Sequence, residues 1–163
     1  NILGSYFGAA FPFKKSLDLF AGTGAMGIEA ISRGADGVVF VENDTASVEV
    51  IEKNLSALGI LTATVLKKNV SDALSALSLK HSVFDLVFID PPYEAGLAAR
   101  TLAELDAAAI VADEGVVVVE TSIKAPVKGG ITPFATGLKN LLLTDERKYG
   151  RTLVYFFARK SQR

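Results

Sequence analysis

Asp18-Leu19-Phe20-Ala21-Gly22-Thr23-Gly24-Ala25-Met26-Gly27 is the stretch that decides the fold of this 163-residue chain. The apolar run Leu17–Phe20 reads as a short buried strand, Gly22 and Gly24 break it, and a helix follows from about Ala25 to Arg33. Gly22, Gly24 and Gly27 form G-x-G-x-x-G between that strand and that helix. Glycine permits the tight turn and lets backbone approach a ligand with no Cβ in the way.

Outward from this turn the pattern repeats. Gly37–Glu42 (G-V-V-F-V-E) is a second strand, and Asp44 or Thr45 can cap a helix that carries Val48, Ile51, Leu55 and Leu58 and stops at Gly59. Thr62–Leu66 is a third strand, with a short helix from about Ser71 to Leu77. Phe84–Ile89 is a continuous apolar run with one charge, as expected of a central strand covered on both faces. Ala95–Ala107 is alanine-rich and helical, and Val116–Val119 is a fifth buried strand ending at Glu120. Leu138–Thr144 and Thr152–Ala158 then read as two strands joined by a polar turn, D-E-R-K-Y-G-R. Five strand–helix units followed by a hairpin predict an α/β fold. It is a Rossmann-like, doubly wound, mostly parallel seven-stranded sheet with an antiparallel last strand. Gly129–Gly137 is the one loop-like gap of note and is too short to separate domains, so residues 1–163 are expected to form a single domain. The opening Asn1-Ile2-Leu3-Gly4-Ser5-Tyr6-Phe7 reads as the end of a helix cut midway, with a natural N-terminal segment expected upstream.

Composition narrows the chemistry. Half of the residues are apolar and about a fifth charged, the balance of a soluble globular protein. No apolar stretch has the length of a membrane span, and no signal-peptide pattern opens the chain, so a cytoplasmic protein is expected. The absence of cysteine excludes a disulfide scaffold, a thiol nucleophile and a thiolate metal site. The one histidine, His81, lies in a polar stretch and reads as a solvated loop residue; no metal site is expected. The formal charge of −1 hides an asymmetry, because residues 139–163 carry seven basic side chains against two acidic ones. A basic end beside an acidic body fits either a nucleic-acid footprint or a solvated tail.

The glycine loop suits any adenosine cofactor. Glu42 ends the second strand twenty residues after Gly22, where a carboxylate can accept both ribose hydroxyls. Asp18 shifts the balance between cofactors. A carboxylate four residues before the first glycine would repel the pyrophosphate of a dinucleotide. S-adenosylmethionine has no phosphate, and its ammonium end can be held by such a group. Asn69, after the third strand, is placed either to bond the adenine edge or to serve as a plain turn residue.

Asp90-Pro91-Pro92-Tyr93 follows the fourth strand at its C-terminal end, beside the switch point where doubly wound sheets bind ligands. An exocyclic amine on a base is a poor nucleophile because its lone pair is delocalised into the ring. The Asp90 carboxylate and the Pro91 carbonyl can accept its two hydrogens and localise that lone pair, with Pro91 and Pro92 stiffening the backbone. Tyr93 can stack on the base once it is turned out.

With these residues in view, the chain resembles the bacterial 16S rRNA guanine-N2 methyltransferases of the RsmD type. The resemblance rests on the opening N-I-L, Leu17–Ala35, Val41-Glu42-Asn43-Asp44, Phe88–Tyr93 and Glu146-Arg147-Lys148-Tyr149-Gly150, in the right order over nearly the whole chain. It implies S-adenosylmethionine as donor, with Glu42 on the ribose and Asn69 on the adenine edge; Asp18, Phe20, Gly22, Gly24, Gly27 and Asn43 complete the expected cofactor-binding set. The resemblance also implies Asp90, Pro91, Pro92 and Tyr93 on the target guanine and ribosomal RNA or a small-subunit assembly particle as partner; a monomer is expected. Arg147 to Gly150 would lie near the RNA. The family's upstream basic R-P-T segment has no counterpart here.

Three other readings compete. An adenine-N6 methyltransferase acting on DNA or RNA uses the same tetrapeptide, which serves any planar amine. A nicotinamide-dependent dehydrogenase needs a proton donor at the fourth or fifth strand edge, where none is offered, and leaves D-P-P-Y without a task. A non-catalytic binding module has no need of Asp90.

Overall fold

The computed structural model describes residues 11–92, 94, 96–122 and 137–160, with Gly4, Phe7 and Gly8 before them. Strands and helices alternate: β1 (Lys15–Leu19), α1 (Ala25–Ser32), β2 (Gly37–Glu42), α2 (Thr45–Ala57), β3 (Ala63–Lys67), α3 (Val70–Leu79), β4 (Phe84–Ile89), α4 (Leu97–Ala108), β5 (Val111–Ser122), β6 (Leu141–Tyr149) and β7 (Thr152–Arg159). They form one seven-stranded sheet in the order β3-β2-β1-β4-β5-β7-β6. β7 runs antiparallel between β5 and β6, and the other neighbouring pairs are parallel.

Each face of the sheet carries its own core. On one, Leu19, Val41, Ile89 and Val119 pack against Leu74 and Leu77 of α3 and Leu102 and Leu105 of α4. On the other, Phe40, Phe88, Val118 and Phe156 pack against Ala30 of α1 and Ile51 and Leu55 of α2. This is why β4 reads as an unbroken apolar run: alternate residues are buried on opposite faces. Ahead of the sheet, Phe7, Phe11 and Phe13 form an edge-on trio with centroids 4.8–6.3 Å apart.

Local signals set the element ends. Asp44 caps α2 by accepting the Ser47 amide at 2.8 Å, and Asn69 caps α3 by accepting that of Asp72 at 2.9 Å. Asp106, buried on α4, accepts the amides of Lys139, Asn140 and Leu141 and so fixes the start of β6. His81 is exposed after α3 with a φ of 52°.

One expectation is corrected. The polar turn expected between the last two strands shrinks to Gly150 and Arg151, because Asp145–Tyr149 continue β6. β6 is the edge of the sheet, and its exposure alternates along its length, so half of its residues are polar for the same reason that a loop would be. The expected loop up to residue 136 and Tyr93 lie outside the described residues.

Candidate active site

The chain leaves β1 for β2 and β3 on one side, then returns to place β4 and β5 on the other. The switch point therefore lies between β1 and β4, where adjacent crossover connections diverge and open a crevice at the carboxyl ends of the strands. Register fixes what lines it. Leu19 pairs with both Val41 and Ile89, so the residues just beyond, Phe20, Glu42 and Asp90, stand side by side at the edge.

The glycine loop is held from three directions. Glu42 accepts the Gly22 amide on Oε2 at 2.8 Å, and the amides of Asn43 and Asp44 on Oε1 at 2.8 and 2.9 Å. Asn54 of α2 donates to the Thr23 carbonyl at 3.1 Å. Asp18, 2% exposed, accepts the Gly27 amide on Oδ2 at 3.0 Å. Gly27 is the third residue of α1, so its N–H is one of the donors that a helix start leaves unbonded. A carboxylate from β1 thus takes one of the donors that a bound phosphate would use.

The three glycines do different work. Gly22 has a φ of 55° and open space where a Cβ would stand, so a ligand has room over it. Gly24 caps α1 with a φ of 80°. A Cβ on Gly27 would lie 2.3 Å from Cε1 of Phe40 and 2.8 Å from Cγ1 of Val38, so this glycine brings α1 against β2. Phe20 also has a left-handed φ, 61°, which costs a non-glycine residue about 1–2 kcal/mol. Such strain is held in place by its surroundings, here at the point where the strand turns into the loop.

The electrostatics are one-sided. Asp18 is pushed up to about 7, chiefly by burial, with Asp90 and Glu42 adding to the rise and the Gly27 amide opposing it. Asp90 stands at the open edge, yet partial withdrawal from water raises its carboxyl above the ordinary range. Glu120, at the end of β5, is raised by burial and by Asp90, against a hydrogen bond with Thr152. A crevice edged by carboxylates favours a cation over a phosphate.

Of the residues singled out in the sequence, Phe20, Gly22, Gly24, Glu42 and Asp90 meet at this edge, while Asp18 lies buried beneath it, bonded to Gly27 of α1. Asn43 is exposed and contributes its backbone amide to Glu42. Asn69 spends both ends of its amide on Asp72, its Nδ2 lying 2.7 Å from Oδ2, so contact with an adenine edge requires exchanging those bonds. Pro91 is half-buried, and the Pro92 carbonyl accepts the Glu94 amide at 2.7 Å. The residues of the R-K-Y-G run belong mainly to β6, so Arg147 and Lys148 fall on opposite faces. Arg147 pairs with Val154 on the Phe88 face, and Lys148 pairs with Leu153 on the other. Glu120 and its partner Thr152 were not singled out; their one signal was a charge closing a run of four valines. Among the described residues no group of histidine, cysteine or carboxylate side chains is arranged to hold a metal, and no helix is long and apolar enough to cross a membrane.

Residues 1–158 match the family model described as "Conserved hypothetical protein 95". A Bacillus subtilis protein named "Putative rRNA methyltransferase YlbH" is 30% identical over 161 residues, covering 98% of this chain and 82% of that protein. "Ribosomal RNA small subunit methyltransferase D" of Escherichia coli is 39% identical over 108 residues, covering 66% of this chain and 53% of that protein. The solved structure "Putative methyltransferase yhhF from Escherichia coli" superimposes with a TM-score of 0.80 at 31% identity, over 99% of this chain and 85% of that one.

Proposed function

Because this chain belongs to the family described as "Conserved hypothetical protein 95", of the RsmD type, we propose that it is an RNA methyltransferase acting on the N2 amine of a guanine in 16S ribosomal RNA, with S-adenosylmethionine as methyl donor. The observation that carries the reading is the Asp18–Gly27 bond beside Asp90. It sets a carboxylate on the helix start, which disfavours a pyrophosphate, beside a carboxylate-edged crevice that suits a sulfonium and an ammonium.

When bound, S-adenosylmethionine supplies an electrophilic sulfonium methyl group. The chain's own residues align and polarise. Glu42 has about four acceptor positions and spends three on backbone amides, which leaves Oε2 room for one ribose hydroxyl. Asp90 and the Pro91 carbonyl accept the hydrogens of the guanine amine and localise its lone pair toward the methyl carbon. As the N–C bond forms and the C–S bond breaks, one amine proton must leave. Asp90, with its raised carboxyl, is the acceptor in place. Alignment supplies most of the rate.

The test is nucleoside mass mapping of unmodified small subunits incubated with this protein and a methyl-labelled donor. N2-methylguanosine at one position supports the reading. N6-methyladenosine would move the acceptor to adenine, and no labelled nucleoside would refute it.

A further inference from the structure

We infer that Glu120 accepts the ring N1–H of the target guanine and thereby selects guanine over adenine; this rests on the guanine reading proposed above. Glu120 follows Val119, and Val119 pairs with Ile89, so Glu120 stands beside Asp90 on the neighbouring parallel strand, about 4.8 Å away along the hydrogen-bonding direction. Across β7 it pairs with Val154, whose side chain belongs to the core of the Phe88 face. That is also the face of Asp18, which pairs with Phe88. The half-buried Glu120 thus points to the same side of the sheet as the catalytic crevice.

The position does not call for a carboxylate on structural grounds. Val116–Val119 precede it, and strands flank it on both sides. No lysine, arginine or histidine pairs with it among the described residues; Thr152 is its one hydrogen-bonding side chain. A carboxylate has about four acceptor positions, so most of its capacity is unspent. Half-buried beside a second carboxylate, it has acceptor positions open to a donor brought by a ligand.

The guanine edge supplies that donor. N2 carries two hydrogens and the adjacent ring N1 carries one, so two neighbouring carboxylates meet two neighbouring donor groups. Adenine presents an amine beside a bare N1 lone pair, which would face the Glu120 carboxylate with repulsion. A site built around a hydrogen bond rejects the analogue that cannot make it far more strongly than an apolar pocket does.

The test compares guanine with 2-aminopurine, which keeps the amine but has an unprotonated N1, at the mapped acceptor of ribosomal RNA assembled with a short synthetic segment. Wild-type protein should prefer guanine in kcat/KM on the order of 100-fold or more. Glu120→Gln offers an amide N–H to the bare N1, so it should lower that preference by about tenfold or more while leaving the Kd for S-adenosylmethionine within about twofold. Thr152→Val, which loosens Glu120 without removing it, should give a smaller shift in the same direction. An unchanged preference in both variants would overturn the inference, whether or not overall activity falls. Failure of the wild-type protein to methylate either RNA would overturn the guanine reading itself.

Discussion

The Asp18 carboxylate accepts the amide hydrogen of Gly27 at 3.0 Å, so a side chain from the first strand closes the start of the first helix. The bond costs water: Asp18 is 2% exposed, and its carboxyl is pushed up to about 7. Between pH 3.8 and about 7 the unfolded chain has released a proton that the folded chain keeps. Stability therefore falls as pH rises through that window, by on the order of 4 kcal/mol at its upper end. Asp18→Asn should flatten this slope. Urea unfolding at about pH 5 and about pH 7.5 would show it, and equal slopes in the two proteins would count against the assignment. A cationic ligand beside Asp18 favours the ionised form, so binding near neutral pH should release a proton, visible as buffer-dependent heat.

Glu42 joins two tasks that are usually separable. Its carboxylate orders three amides of the loop region as well as facing the crevice. Glu42→Ala should weaken S-adenosylmethionine binding by tenfold or more, about 1.4 kcal/mol. It should also speed amide exchange at Gly22. Glu42→Gln, which still accepts, should recover part of the exchange protection but less of the affinity.

Gly27→Ala tests the seat of α1. The added Cβ would meet Phe40 at 2.3 Å, and Phe40 is fully buried, so overpacking should cost about 1–3 kcal/mol. Gly27→Ala with Phe40→Leu should regain some of that loss in thermal unfolding. A single variant as stable as the parent would mean that α1 moves freely on β2.

On the proposed role of Asp90 as the group that meets the acceptor, Asp90→Asn should lower kcat by about 100-fold or more while the cofactor Kd stays nearly constant. Parallel loss of both, read by single-turnover kinetics and calorimetry, would place Asp90 in the donor site instead.

Arg147 and Lys148 are neighbours in sequence and lie on opposite sides of the sheet. Arg147→Glu should weaken binding of small-subunit RNA and lower its salt dependence, whereas Lys148→Glu should do neither. Equal effects would detach RNA binding from the face that carries Asp90.

Much of this fold was legible because its signals are local. G-V-V-F-V-E and F-D-L-V-F-I match β2 and β4 to the residue, since each is an apolar run bounded by polar or turn-forming positions. Asp44 announced its helix as a cap, whereas Asn69, expected to bond the adenine edge or to sit in a plain turn, caps α3. The extent of β6 was not legible, because an edge strand open to water alternates in charge much as a turn does. Within the site, spacing pointed to Asp18, Glu42 and Asp90, but not to how they are spent. That Glu42 is bonded to Gly22, or that Asn69 bonds Asp72 with both ends of its amide, depends on three-dimensional register. Glu120 escaped notice for the same reason: only the pairing of Val119 with Ile89 brings it beside Asp90.

The insertion of β7 between β5 and β6 bears on how the chain comes to be folded during synthesis. β6 emerges from the ribosome before β7, yet it has no place in the sheet until β7 is laid against β5. Until Thr152–Arg159 is available, β5 presents a bare backbone edge, and the apolar residues that Phe156 and Phe157 later cover remain wet. The nascent five-stranded body is therefore the stage most open to capture by another unfinished chain. Ribosome-bound intermediates stalled between β6 and β7 should be those that chaperones hold longest.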